Sequence, residues 1–169
     1  PGIRPEHFDN LIFSAGNGSE MALLFPYGYT RMVYEGMQAM GRQDILTLSR
    51  SAYLGAQKFG VLVWSGDVPS TFESLRMQVK AGLNMAMCGI PWWTTDIGGF
   101  YGGDTGTDYF RELIVRWFQF GLFCPVMRLH GNRAGRDETR NIPEPTGGDN
   151  EIWSFGERNF AGRRLILFF

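Results

Sequence analysis

Four short apolar runs, Ile45 to Ser49, Val61 to Trp64, Met85 to Ile90 and Cys124 to Leu129, punctuate the chain, with amphipathic stretches between them. Runs this short and this continuously apolar suit parallel strands covered on both faces better than they suit helices. Phe72, Leu75, Val79 and Leu83 recur at helical spacing, behind a capping-box signature of Ser70 and Glu73. Phe110, Leu113, Ile114, Trp117 and Phe118 draw a second stripe, with Asp108 placed to cap its start. A third helix is predicted over Tyr29 to Met40. Strand, loop, helix and strand in repetition define an α/β fold, wound either as a barrel or as an open sheet.

The position of the unusual residues separates those two. Arg50 follows the first run, Ser65-Gly66-Asp67 the second, Trp92 to Phe100 the third, and Arg128 to Arg133 the fourth. In a (β/α)₈ TIM barrel the loops after the C-terminal strand ends build the active site, each strand giving a residue or two. An open sheet favours a single crevice with a Gly-rich phosphate turn, and neither GxGxxG nor a P-loop occurs here. The expectation is therefore a partial (β/α)₈ barrel carrying four of its strands. Residues 132–150, polar and rich in Pro and Gly, read as a surface loop.

Composition narrows the partners. A net charge of −1 without a basic block argues against nucleic acid. The first residues carry no basic and apolar leader, and no apolar run approaches a membrane span, so a soluble, cytoplasmic chain is expected; a leader upstream of a chain beginning mid-sequence would escape this reading. Two cysteines, Cys88 and Cys124, stand far apart in apolar sequence and are expected to be buried free thiols. Aromatic residues make up 15% of the chain, with five Trp and fourteen Phe. Flat rings among tight Gly turns suit the stacking of sugar rings, and suit a large aromatic core equally well.

Two acids draw attention. Asp67, in Trp64-Ser65-Gly66-Asp67, directly follows a strand; beside an indole a carboxyl can be shielded from water, which favours the protonated form and readies it as an acid. A turn-forming Asp fits the same four residues. Asp96 lies in Pro91-Trp92-Trp93-Thr94-Thr95-Asp96-Ile97-Gly98-Gly99-Phe100, where adjacent Trp, a carboxylate and paired Gly supply a stacking face, a hydrogen-bonding group and close backbone approach. Arg50 can fork onto a carboxylate and hydroxyls, and His130 can bond one hydroxyl; singly, either residue type is more often structural.

Taken in order, Ser49-Arg50-Ser51, Gly55-Ala56-Gln57-Lys58-Phe59-Gly60, Trp64-Ser65-Gly66-Asp67, Ser70-Thr71-Phe72, Ala81-Gly82-Leu83-Asn84, Gly89-Ile90-Pro91, Asp96-Ile97-Gly98-Gly99-Phe100 and Arg128-Leu129-His130-Gly131 resemble glycoside hydrolase family 31. The resemblance implies that residues 1–169 form the C-terminal half of the family's catalytic barrel, its fifth to eighth strands with their helices. It implies a retaining α-glycosidase acting on terminal α-linked glucose or xylose, with no cofactor or metal. Asp67 corresponds to the general acid/base. Arg50 and His130 correspond to residues that hydrogen-bond the sugar, Trp64 and Phe100 to pocket walls, and Asp96 to a supporting hydrogen-bond partner.

The family's nucleophile, an Asp at the end of the fourth strand, is expected a few residues upstream of Pro1 and outside this chain. Glu6 and Asp9 fall past that motif. Retaining chemistry needs two carboxyls roughly 5 Å apart, so the chain alone is expected not to turn over an α-glycoside. Ala161 to Phe169 departs from the family pattern, as expected of a frame error near the end. Two other readings stay open: a carbohydrate-binding relative without turnover, and a phosphate-binding barrel enzyme, which would need Gly-rich loops that the sequence lacks.

Overall fold

The computed structural model describes residues 7–132 and 150–156. The chain forms two units, Pro1–Val63 and Trp64–Phe169. The expectations for Glu6, for the interior of the 132–150 loop and for the Ala161 to Phe169 tail lie outside the described residues.

In the first unit, β1 (Ile12–Phe13) and β2 (Gly16–Asn17) pair antiparallel. A short helix α1 (Gly18–Met21) leads through a 3₁₀ turn, Ala22–Leu24, into α2 (Phe25–Ala39). This last helix starts a turn earlier than Tyr29 because Pro26 sits in its opening turn, where its fixed φ is already helical and its missing N–H is no loss. It stops at Gly41 (φ +82°): the Gly41 amide donates to Gln38 O at 2.8 Å and the Arg42 amide to Met37 O at 3.0 Å, the paired bonds of a Schellman ending. Strands β3 (Thr47–Ser49) and β4 (Val61–Trp64) then run parallel, with Thr47 opposite Val61 and Ser49 opposite Val63. Val61, Leu62 and Val63 are all buried, as the unalternating apolar run required.

The second unit is built around α3 (Phe72–Met87), β5 (Trp93–Thr94) and α4 (Asp108–Gly121). The strand expected over Met85 to Ile90 is corrected. Met85 to Met87 are the last turn of α3, which ends at Gly89 (φ +77°) with the Ile90 amide on Met85 O at 3.0 Å, and the strand begins beyond Pro91. Met and Ala are good helix formers, and the β-branched residue arrives only at Ile90, too late to pull the run into a strand. Over Cys124 to Leu129 the described residues form a turn, followed by one parallel bridge between Arg128 and Asp96 rather than a full strand.

Both helix starts move by one residue. Thr71, not Ser70, caps α3, accepting from the Ser74 amide at 3.1 Å. Thr107, not Asp108, caps α4, accepting from the Phe110 amide at 3.2 Å, while Asp108 pairs with Arg111. The inward line of α3 also differs. Leu75 and Gln78 are buried, whereas Phe72, Val79 and Leu83 are exposed. At Gly82 an added Cβ would stand 3.0 Å from the Trp93 indole, so the ring packs against bare backbone there, and Val79 and Leu83 line an apolar opening beside it.

The stripe on α4 needs no such revision. Phe110, Leu113, Ile114, Trp117 and Phe118 are buried together with Leu75, Ile97 and Phe155, the last 5.5 Å from the Phe110 ring. Phe155 comes from a short 3₁₀ turn, Ile152–Phe155. The cysteine expectation is corrected as well: Cys88 is exposed at the end of α3 and Cys124 is half-buried.

Candidate active site

The second unit gathers its polar residues at one rim. After Trp64 the chain passes Ser65 and Gly66 (φ +77°) to Asp67 and then runs alongside the segments that follow β5. Pro69 bridges Tyr101 and Tyr101 bridges Asn132, both in parallel. The Phe100 amide donates to Val68 O at 2.7 Å, the Ser70 amide to Tyr101 O at 3.0 Å, and the Asn132 amide to Phe100 O at 2.5 Å. The segments at residues 68–70, 100–101 and 132 thus lie side by side, hydrogen-bonded to one another. Gly99 (φ +81°) permits the approach, since a Cβ there would lie 2.7 Å from Pro69 O and from Ser70 Cα. Such a position excludes every side chain.

Beneath the rim the buried groups are polar. Thr94 donates its hydroxyl to Val126 O at 2.7 Å, and Ser65 donates to the Thr95 hydroxyl at 3.3 Å. Asp96, wholly out of water, forms an ion pair with Arg128. The Arg128 guanidinium also lies over the Trp64 ring, 5.8 Å from its centroid, within the range of a cation–π contact. His130 is exposed, with its ring 5.6 Å from that of Phe100 and tilted by 38°.

Trp64 and Asp96 therefore meet through Arg128, Phe100 and His130 lie against each other, and Asp67 leaves the same strand end as Trp64. Asp67 is exposed, so the neighbouring indole does not by itself shield it from water. Arg50 stands in the first unit, exposed, beside an opening of about 290 Å³ lined by Phe25, Tyr29, Leu48 and Ser51 among others. Among the described residues no group of three or more His, Cys, Asp or Glu could hold a metal ion.

Arg128 joins this set without having been a candidate in the sequence, where it is only the first letter of an Arg-Leu-His-Gly element. A signal is nonetheless present: an Asp buried amid Trp, Thr and Ile requires a cation. Arg128 is the Arg nearest His130 on the neighbouring strand end.

A parallel α/β rim with polar and aromatic side chains at the strand ends is where barrel enzymes build their sites. The chain belongs to glycoside hydrolase family 31: the model of the family described as "Glycosyl hydrolases family 31 TIM-barrel domain" matches residues 5–160. An uncharacterised family 31 glucosidase of Pseudescherichia vulneris is 48% identical over 136 residues, covering 80% of this chain and 26% of that protein. An alpha-xylosidase of Saccharolobus solfataricus is 44% identical over 116 residues, covering 69% of this chain and 16% of that one. Among solved structures, a family 31 alpha-xylosidase from a soil metagenome, complexed with xylose, superposes with a TM-score of 0.82 at 47% identity, over 95% of this chain and 26% of the other. The chain spans about a quarter or less of the length of these relatives.

Proposed function

We propose that this chain supplies the acid/base side of a retaining α-glycosidase site, the fifth to eighth strand ends of the barrel, with Asp67 as the catalytic acid and base. The observation that carries the reading is the placement of Asp67. It is exposed at the end of a buried parallel strand, on a rim that also presents Trp64, Phe100 and His130. Asp67 protonates the departing glycosidic oxygen while a second carboxylate, from the strand end ahead of Pro1, attacks the anomeric carbon and forms a glycosyl ester. Asp67, now a carboxylate, takes a proton from water; the water oxygen adds to the anomeric carbon and the ester bond breaks, restoring both groups with configuration retained.

Arg50 and His130 bind sugar hydroxyls, Trp64 and Phe100 wall the sugar, and Asp96 supports the wall from within. A terminal α-linked xylose is the first substrate to test, because the relatives at 44% and 47% identity are described as alpha-xylosidases; glucose is the second.

The test uses the enzyme with its whole barrel. Asp67→Ala should slow hydrolysis of an alkyl or disaccharide α-xyloside by about 10²- to 10⁴-fold, the usual worth of a positioned acid, and spare an activated aryl α-xyloside far more. A basic leaving oxygen needs the proton, whereas a nitrophenolate leaves without it. Equal losses on both substrates would remove Asp67 from the role.

A further inference from the structure

We propose that Arg128 is a positioning residue for the acid/base: by gripping Asp96 and the face of Trp64 together, it sets the direction in which the Trp64-to-Asp67 turn presents its carboxyl. The inference rests on the reading of Asp67 above and adds a residue with no assigned role. Arg128 spans three strand ends at once. Its own backbone bridges Asp96, with the Ile97 amide donating to Arg128 O at 3.2 Å. Its guanidinium pairs with the wholly buried Asp96 carboxylate, and its Cζ lies over the Trp64 ring, 5.8 Å from the centroid.

Neutralising Asp96 alone would need only a positive charge. A lysine ammonium supplies that, but as a compact, strongly hydrated point it cannot also lay a flat, weakly hydrated face on an indole. The guanidinium does both, and so couples the strand end carrying Asp96 to the one that leads to Asp67.

The short path from Trp64 to the acid makes the coupling consequential. Only Ser65 and Gly66 separate Trp64 from Asp67, and Gly66 (φ +77°) lies in a region of backbone space that glycine enters without steric cost. With only two residues between them, a shift of the Trp64 strand end is carried on to the Asp67 carboxyl. Misplacement of a reacting group by about an ångström costs on the order of 10²-fold in rate. The Trp64 anchor controls a displacement of that kind.

The test compares Arg128→Lys with the pair Arg128→Met and Asp96→Asn/Arg128→Met in the enzyme with its whole barrel. Melting temperature and the rates on an activated aryl and an unactivated alkyl α-xyloside are read for each. Arg128→Met alone should lose much of its thermal stability, because it strands a buried carboxylate, and the double variant should recover most of that loss. Neither the double variant nor Arg128→Lys should recover the unactivated substrate. Its kcat should stay about tenfold or more below wild type, with the activated substrate much less affected.

If either folded variant hydrolyses the two substrates in the wild-type ratio, Arg128 is no more than the counterion of Asp96 and the proposal is overturned. Should the double variant fail to fold, Arg128→Lys decides alone. A failure of the Asp67 reading would show separately, as equal losses for Asp67→Ala on both substrates.

Discussion

Gly99→Ala isolates the contact that lets the rim of the second unit form. Two costs add at this position. The backbone is left-handed (φ +81°), which an L side chain enters at about 1–2 kcal/mol. The new Cβ would also stand 2.7 Å from Pro69 O and Ser70 Cα and 2.8 Å from Pro69 C. All three are backbone atoms, so no side chain can swing aside. Relief requires the segment after β5 to withdraw from the segment after β4, and forced overpacking of this kind costs about 1–3 kcal/mol.

Gly102 supplies the control. It has nearly the same backbone (φ +74°) but nothing within 4 Å of a built Cβ, so Gly102→Ala carries the conformational cost alone, partly offset by about 0.4–1 kcal/mol from the stiffer unfolded chain. The expected losses are about 2–4 kcal/mol for Gly99→Ala and about 1 kcal/mol or less for Gly102→Ala. Urea unfolding followed by circular dichroism measures both in the same unit, with unchanged m values showing that stability rather than compactness has moved. Equal midpoints for the two variants would refute the claim that backbone apposition at Gly99 holds the rim together.

Two further outcomes rest on the same geometry. Thr107→Ala removes the oxygen that accepts from the Phe110 amide at the start of α4 and should cost about 1 kcal/mol in the same assay, whereas Asp108→Ala, which loses only an exposed ion pair, should cost less. Burial pushes the Cys124 thiol up to about 11 from an ordinary 9.0. The folded state therefore holds that proton more tightly, and the stabilisation it confers is complete below about pH 9 and is lost as pH rises through about 11. Since the thiolate is the nucleophile, iodoacetamide near pH 8 should label the exposed Cys88 and leave Cys124 largely unmodified until the chain is unfolded.

The elements legible in the sequence are those whose burial is set by their own pattern. The α4 stripe from Phe110 to Phe118 and the Val61 to Val63 run occupy the buried positions that their periodicity assigns. The misread ones depend on a partner distant in sequence. Nothing within α3 announces that the Trp93 indole packs against bare backbone at Gly82, beside an opening that Val79 and Leu83 line. The confusion of helix and strand over Met85 to Ile90 is avoidable. Gly89 before Ile90-Pro91 is a helix stop, and Gly41 after Met40 is another, each with the glycine at the position the Schellman bonds require. The site residues are legible as letters at strand ends. The side chain that joins them is not, because the pairing of Arg128 with Asp96 spans thirty-two positions and only the parallel bridge between their backbones puts them in register.

That pairing bears on which carboxyl can be the acid. Asp67 and Asp96 both follow strands, and both lie in Trp- and Gly-containing turns. A general acid must reach the leaving oxygen within hydrogen-bond distance and exchange its proton with water in each cycle. Asp96 has no exposed surface and is held by Arg128, with Thr94 and Thr95 buried around it. Its geometry suits a fixed support and leaves no route for a substrate oxygen or a water molecule. Asp67 is exposed, beyond a glycine, at the mouth of the same rim. The two acids are therefore separated by environment, one buried and ion-paired and the other exposed, and such a separation is what the proposed division of roles requires.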